Sequence, residues 1–232
     1  RPAKPRRQGR QDARLAGTPV AVDADGHAVR CWNRTPKDFP HFVPAIEDAV
    51  KGAEAIFIIV ADPAAVQEVL DGITPHLQPG MLVIQSSTVS APWTLRYAGQ
   101  VQRTGADFLE APFTGSKLAA SQRKTVYYLG GTEAVVERAR PLLESIASAL
   151  QHIGPLGSAS TLKLALNLNV AGVAHALCES LTLCRAAGIT DDTYFSALAR
   201  NVSRSNLADL KEPKLRTRDY SAQFSLKHMA KD

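Results

Sequence analysis

Little in this 232-residue chain points to metal chemistry or disulfide bonding. It has three cysteines, Cys31, Cys178 and Cys184, and their spacing matches neither a metal-ligand pattern nor a disulfide framework. They read as small apolar residues of a reducing compartment, so a cytoplasmic protein with no metal site is expected. Long apolar runs are scarce too. None approaches the roughly 18 residues that a membrane-spanning helix needs, so no membrane segment is expected. No secretory leader is visible, and the chain opens on Arg1 rather than Met, so one expectation is that the native N-terminus is absent. Excess charge is confined to one place. Arg1, Lys4, Arg6, Arg7, Arg10 and Arg14, set against Asp12, account for the whole net charge of +5, and the rest of the chain is neutral. The basic pI therefore belongs to an arm, not to a face. A run of this kind is usually solvated, so residues 1–15 are expected to form a disordered basic arm and no nucleic-acid partner is expected.

What is present is apolar and alternating. Apolar residues make up 45% of the chain, ample for a core. "GHAVRCWN" (26–33) is short and β-rich. "AEAIFIIVAD" (53–62), "GMLVIQSST" (80–88), "ADFLEAPF" (106–113) and "KTVYYLGG" (124–131) are apolar runs bounded by turn formers, as strands buried on both faces should be. Between them lie helical patterns at 64–73 and 90–105, then an amphipathic helix over 132–150 capped by Thr132, with "LQHIG" as a last strand. Strand–helix alternation predicts a parallel α/β sheet, here a Rossmann-like domain over 16–155. After it the texture changes. A helix capped by Ser158 or Ser160 runs to Gly188 and is apolar nearly all round, so it is expected to be buried on most sides, in part by a second subunit. Helical patterns follow at 191–200, 205–215 and 224–232, making 156–232 an all-helical domain.

Small or polar residues end successive strands: Asp62, then Ser86, Ser87 and Thr88, then Thr114, Gly115 and Ser116 with Lys117 beside them. Open α/β sheets bind ligands beyond the carboxyl ends of their strands, so three such ends in register favour a site over ordinary turns. Lys163 stands one turn into the apolar helix, four residues before Asn167, which puts both side chains on one face. Such a lysine either snorkels to solvent or is held partly buried, where a lowered pKa suits it to proton transfer near neutrality. In "CWNRTP" (31–36), Asn33, Arg34 and Thr35 stand where a dinucleotide fold that takes NAD carries an acid for the ribose hydroxyl. An arginine there reads either as a surface turn residue or as a partner for the 2′-phosphate of NADP.

Taken together, "NRT", "QSSTVS", "FLEAPFTGS", "YYLGGTEAVVERARPLL", "TLKLALNLN" and "FSLKHMAKD" resemble the β-hydroxyacid dehydrogenase family, the 6-phosphogluconate dehydrogenase-like group, and within it the glyoxylate and succinic semialdehyde reductases. The resemblance runs from about Gly26 to the end. It implies reversible hydride transfer between NADP(H) and a small hydroxy, aldehyde or keto acid, in a homodimer. By the same resemblance Lys163 is the catalytic acid and base and Asn167 its amide partner. Thr114, Gly115 and Ser116 hold the substrate carboxylate, with Phe224 and Asp232 closing the pocket. Gly17, Asn33, Arg34, Thr35, Ala61, Asp62, Thr88 and Lys231 meet the cofactor. Imine reductases share the fold but generally lack this lysine, so Lys163 argues against them.

The sequence departs from that pattern at both ends. The family opens with a strand and a G-x-G-x-x-G turn, and no G-x-G occurs in this chain. Gly17-Thr18-Pro19 resembles only the end of the motif, so the first strand and the glycine-rich loop are read as degenerate. Relatives also continue past Asp232, so the helical domain is read as truncated. Three readings stay open: a fragment or misread gene of a reductase, an active enzyme with a rebuilt phosphate loop, and a non-catalytic scaffold that binds a partner or nucleic acid through its arm.

Overall fold

The structure, a computed structural model, describes residues 26–38, 40–221, 229–230 and 232. The basic arm and the expected site residues Gly17, Phe224 and Lys231 lie outside them. The described residues belong to two compact units, divided between Lys163 and Leu164.

The first unit is built on a six-stranded sheet. Its strands are β1 (Ala55–Ile58), β2 (Leu82–Gln85), β3 (Asp107–Glu110), β4 (Phe113–Thr114), β5 (Thr125–Gly130) and β6 (Ala147–Gly154). Strands β1, β2 and β3 run parallel, with Ala55 opposite Leu82 and Leu82 opposite Asp107. Strand β5 is antiparallel to β3 and β4, and parallel to β6. The reversal has a simple cause. Parallel neighbours need a crossover of about a dozen residues or more. Between β4 and β5 there is only the short helix α4 (Lys117–Ser121) and its flanking turns.

Side-chain alternation along the central strands feeds two cores. Val83 and Phe108 point to one, with Val66, Leu70 and Ile73 of α2 (Pro63–Ile73) and Tyr97 and Val101 of α3 (Ala91–Gln102). Ile84 and Leu109 point to the other, with Tyr127, Leu129 and Leu143. Helices therefore cover both faces, which is why these strands read as continuous apolar runs. The result is the expected Rossmann-like α/β architecture.

Several local expectations change. Residues 26–33 form no strand of their own. Cys31 makes a single bridge, donating to His41 O at 2.8 Å and accepting from Val43 N at 2.8 Å. Pro36, Pro40 and Pro44 remove the donors a longer ladder needs. A short helix, α1 (Ile46–Val50), follows that no sequence pattern announced. The helix expected over 132–150 stops early: α5 is Glu133–Glu144, and residues from Ala147 onward pair with β5 instead. Pairing with a neighbouring strand overrides the weak helical preference there.

The long helix α6 spans Ser158–Ala186. Gly188 ends it in the left-handed region (φ 77°), and Ile189 N donates to Cys184 O at 2.9 Å across the reversal. One expectation about α6 is corrected. Of its residues only Ala159, Ser160, Leu177 and Leu181 are buried, so it is not covered on most sides. By length and composition it is also long and apolar enough to cross a membrane, although no unbroken apolar run suggested it. Lys163, Asn167, Asn169, His175 and Glu179 interrupt the run singly without making the helix polar overall.

In the second unit, α7 (Asp191–Leu198) and α8 (Asn206–Arg216) pack with α6 through Leu177, Leu181, Phe195 and Ala208. Arg185 grips Asp191 with two hydrogen bonds, at 2.8 and 2.6 Å. Arg216 lies over the Phe195 ring at 4.7 Å.

Candidate functional site

The site is assembled first at the carboxyl ends of β1 and β2. Ala61 is exposed. Asp62 caps α2, its Oδ1 accepting from Ala65 N at 2.9 Å. That carboxylate is thereby committed to the helix. Ser87 ties the two strand ends together, since its Oγ accepts from Val60 N at 2.8 Å and donates to Ile58 O at 3.5 Å. Ser87 N in turn donates to Gln85 Oε1. Thr88 is half-buried just beyond. Among the described residues the buried hydroxyl of Ser86 has no hydrogen-bond partner, which is unusual for a buried polar group and suits a strand end that receives a polar ligand. Behind it Tyr97 donates to Pro63 O at 2.7 Å, and burial pushes its phenol up to about 12.

Asn33, Arg34 and Thr35 form a turn. Asn33 Nδ2 donates to Thr35 O at 2.6 Å. Arg34 pairs with Glu68 of α2 at 2.7 Å, and its side chain is 72% exposed. A guanidinium held this way is aimed but remains open to a second acceptor.

The third strand end carries Thr114, Gly115 and Ser116, all exposed. Gly115 has φ 145°, and a Cβ there would meet Thr125 Cγ2 at 2.9 Å, so glycine is required. Ser116 Oγ accepts from Ala119 N at 3.1 Å. The Ser116 hydroxyl thus caps the short helix after it, and a substrate carboxylate would depend more on Thr114 and the backbone.

Lys163 is half-buried, one turn into α6, and Asn167 follows on the same face. In the second unit Asn167 Nδ2 donates to Asp232 Oδ2 at 2.7 Å. Two residues predicted separately are therefore in direct contact.

One residue escaped the sequence reading. Glu110 ends β3 completely buried, and its carboxylate takes the first amides of α6: Ala159 N at 3.0 Å and Ser160 N at 3.3 Å. Ser160 Oγ adds a bond at 2.6 Å. The available signal was an acid closing an otherwise apolar strand. Among the described residues no group of His, Cys, Asp or Glu is arranged to hold a metal ion.

Residues 17–154 match the family described as the NAD binding domain of 6-phosphogluconate dehydrogenase. Residues 157–232 match the NAD-binding region of NADP-dependent 3-hydroxyisobutyrate dehydrogenase. The chain belongs to the β-hydroxyacid dehydrogenase family. It is 25% identical over 230 residues to glyoxylate/succinic semialdehyde reductase 2, chloroplastic, of Arabidopsis thaliana, covering 94% of this chain and 64% of that protein. It is 29% identical over 193 residues to 2-hydroxy-3-oxopropionate reductase of Escherichia coli, covering 82% and 66%. It thus spans slightly less than two thirds of either relative. The fold matches that of a Mycobacterium tuberculosis 3-hydroxyisobutyrate dehydrogenase with a TM-score of 0.84 and 22% identity, over 93% of this chain and 79% of that one. Family membership makes the sheet unit an NAD(P)-binding domain. The orphan Ser86 hydroxyl, the open Arg34 and the small residues ending β1 and β2 fit such a cofactor.

Proposed function

We propose that the chain is an NADP-dependent reductase of small aldehyde or keto acids, of the glyoxylate or succinic semialdehyde type, working reversibly on the corresponding hydroxy acids. The bound nicotinamide supplies and recovers the hydride. Lys163 gives a proton to the substrate carbonyl oxygen and takes it back in the reverse direction. Asn167, anchored by Asp232, binds the substrate hydroxyl or carbonyl oxygen and keeps it within reach of the amine. Thr114 and the backbone at Gly115 and Ser116 receive the carboxylate. Ala61, Asp62 and Thr88 line the nicotinamide end, Asn33 and Thr35 flank the ribose, and Arg34 pairs with its 2′-phosphate. Gly17, Phe224 and Lys231 take the family roles given above.

The observation that carries this reading is the half-buried residue Lys163, one helical turn before Asn167, whose side-chain amide donates to Asp232. A second copy of the chain is proposed to cover the exposed Leu166, Leu168, Val170 and Leu183 of α6, giving a homodimer. The three thiols, none of them in a disulfide, suit the cytoplasm.

The test is direct. Purified protein should bind NADPH, read as a change in cofactor fluorescence, and oxidise it when glyoxylate or succinic semialdehyde is added. A protein that binds no NADPH, and instead shows salt-sensitive nucleic-acid affinity that disappears on deleting residues 1–14, is a scaffold and not this enzyme.

A further inference from the structure

We propose that Glu110 is a positioning residue for Lys163: it clamps the start of α6 to the sheet, and so sets where the amine stands. The proposal rests on the reading of Lys163 given above.

Three elements converge on this carboxylate. Glu110 itself ends β3, fully buried. Its two oxygens accept from Ala159 N, Ser160 N and Ser160 Oγ. The Ser160 hydroxyl proton is spent on Glu110, so the 2.7 Å contact with Thr94 is a bond donated by Thr94 from α3. Thr94 and Ser160 are buried as well. The space for the carboxylate comes from the neighbouring strand. Gly130 sits opposite Glu110, and a Cβ there would come within 2.0 Å of Glu110 Oε1. Only glycine leaves that room.

Burying a carboxylate is costly unless hydrogen bonds and a favourable field offset it. Here the donors and the positive end of the helix dipole do so. A helix start needs none of this, because a serine side chain caps one adequately. The arrangement achieves something a cap does not. It ties the helix to a strand that leads, within a few residues, to Thr114 and Gly115. Ala159 and Ser160 lie four and three residues before Lys163, so the gripped residues share its side of the helix. Rotating or sliding the helix start moves the amine with it. A misplacement of about 1 Å at a reacting group can cost about 100-fold in rate.

The test compares wild type with Glu110→Gln and Ser160→Ala. The first keeps the shape and replaces one acceptor oxygen by a donor. The second removes one of the three bonds and leaves the carboxylate on both amides, so it serves if the first variant fails to fold. Three quantities are read: kcat and KM with an aldehyde acid and NADPH, the melting temperature, and amide hydrogen exchange over residues 158–164. The expected result for Glu110→Gln is a fall in kcat of about 10- to 100-fold, with the NADPH KM within about twofold, and faster exchange confined to 158–164. Ser160→Ala should show the same split more weakly. A merely structural role would lower the melting temperature and leave kcat per folded molecule unchanged, and that outcome overturns the proposal. Wild-type exchange over 158–164 in both variants overturns it too. If wild type itself reduces none of the aldehyde acids, the functional reading fails separately, and exchange at 158–164 alone decides whether Glu110 clamps the helix.

Discussion

At the scale of a single side chain, the proposed preference for NADPH over NADH rests on Arg34. Its partner Glu68, 2.7 Å away, holds the guanidinium but would also place a negative charge near the proposed 2′-phosphate. Arg34→Ala should weaken NADPH binding by about tenfold and leave NADH nearly unchanged, in keeping with the value of a charge-assisted hydrogen bond. Glu68→Gln should tighten NADPH binding by a few-fold. Fluorescence titrations with both cofactors check this, and tighter binding of NADH than of NADPH by wild type would contradict the assignment. Arg34 and Lys163 stood out as candidates in the sequence because each is a cation where the local pattern leads one to expect something else. Glu110 was not. Its meaning depends on Ser160, fifty residues on, and on the absence of a side chain at Gly130. Ser87 was noticed as part of a polar strand end, but its bond to Val60 appears only when β1 and β2 lie side by side.

At the scale of elements, β1, β2, β3 and β5 were legible because strands covered on both faces are apolar without interruption. The boundary between α5 and β6 was not, because residues 145–150 satisfy a helical period as well as a strand and only pairing with β5 chooses. The caps were half legible. Thr132 Oγ1 accepts from Val135 N at 3.4 Å, as its position suggests. Thr132→Ala should therefore cost about 1 kcal/mol in a denaturant titration. Leu109, fully buried at the sheet centre, should cost about 2–5 kcal/mol on replacement by alanine. The helices of the second unit carry a pH signature. The Arg185 hydrogen bond holds the Asp191 carboxyl below its ordinary range, and bonds from Ser221 and then Lys214 do the same to Asp219. A carboxyl with a lowered folded-state pKa adds stability that is fully present above its unfolded value and lost as pH falls. Helicity of this unit should thus weaken progressively below about pH 4, and Arg185→Met should blunt that dependence in a pH-resolved melt followed by circular dichroism.

For the whole molecule, composition places the excess charge in residues 1–14, which lie outside the described residues, and the apolar texture of α6 led to an expectation of burial that its surface does not meet. Of its exposed apolar residues, Leu166 and Val170 share one face while Leu168 and Leu183 lie on another, and the proposed dimerisation would cover them. Leu168→Glu should shift the protein from dimer to monomer in sedimentation velocity. A wild-type monomer at micromolar concentration would refute the assembly. The central claim concerns one amine. Its most direct test is the rate of NADPH oxidation with an aldehyde acid for wild type against Lys163→Ala, at matched cofactor saturation. General acid catalysis predicts a loss of about 100- to 10,000-fold in kcat with NADPH affinity retained, and a variant that turns over at the wild-type rate would contradict the account.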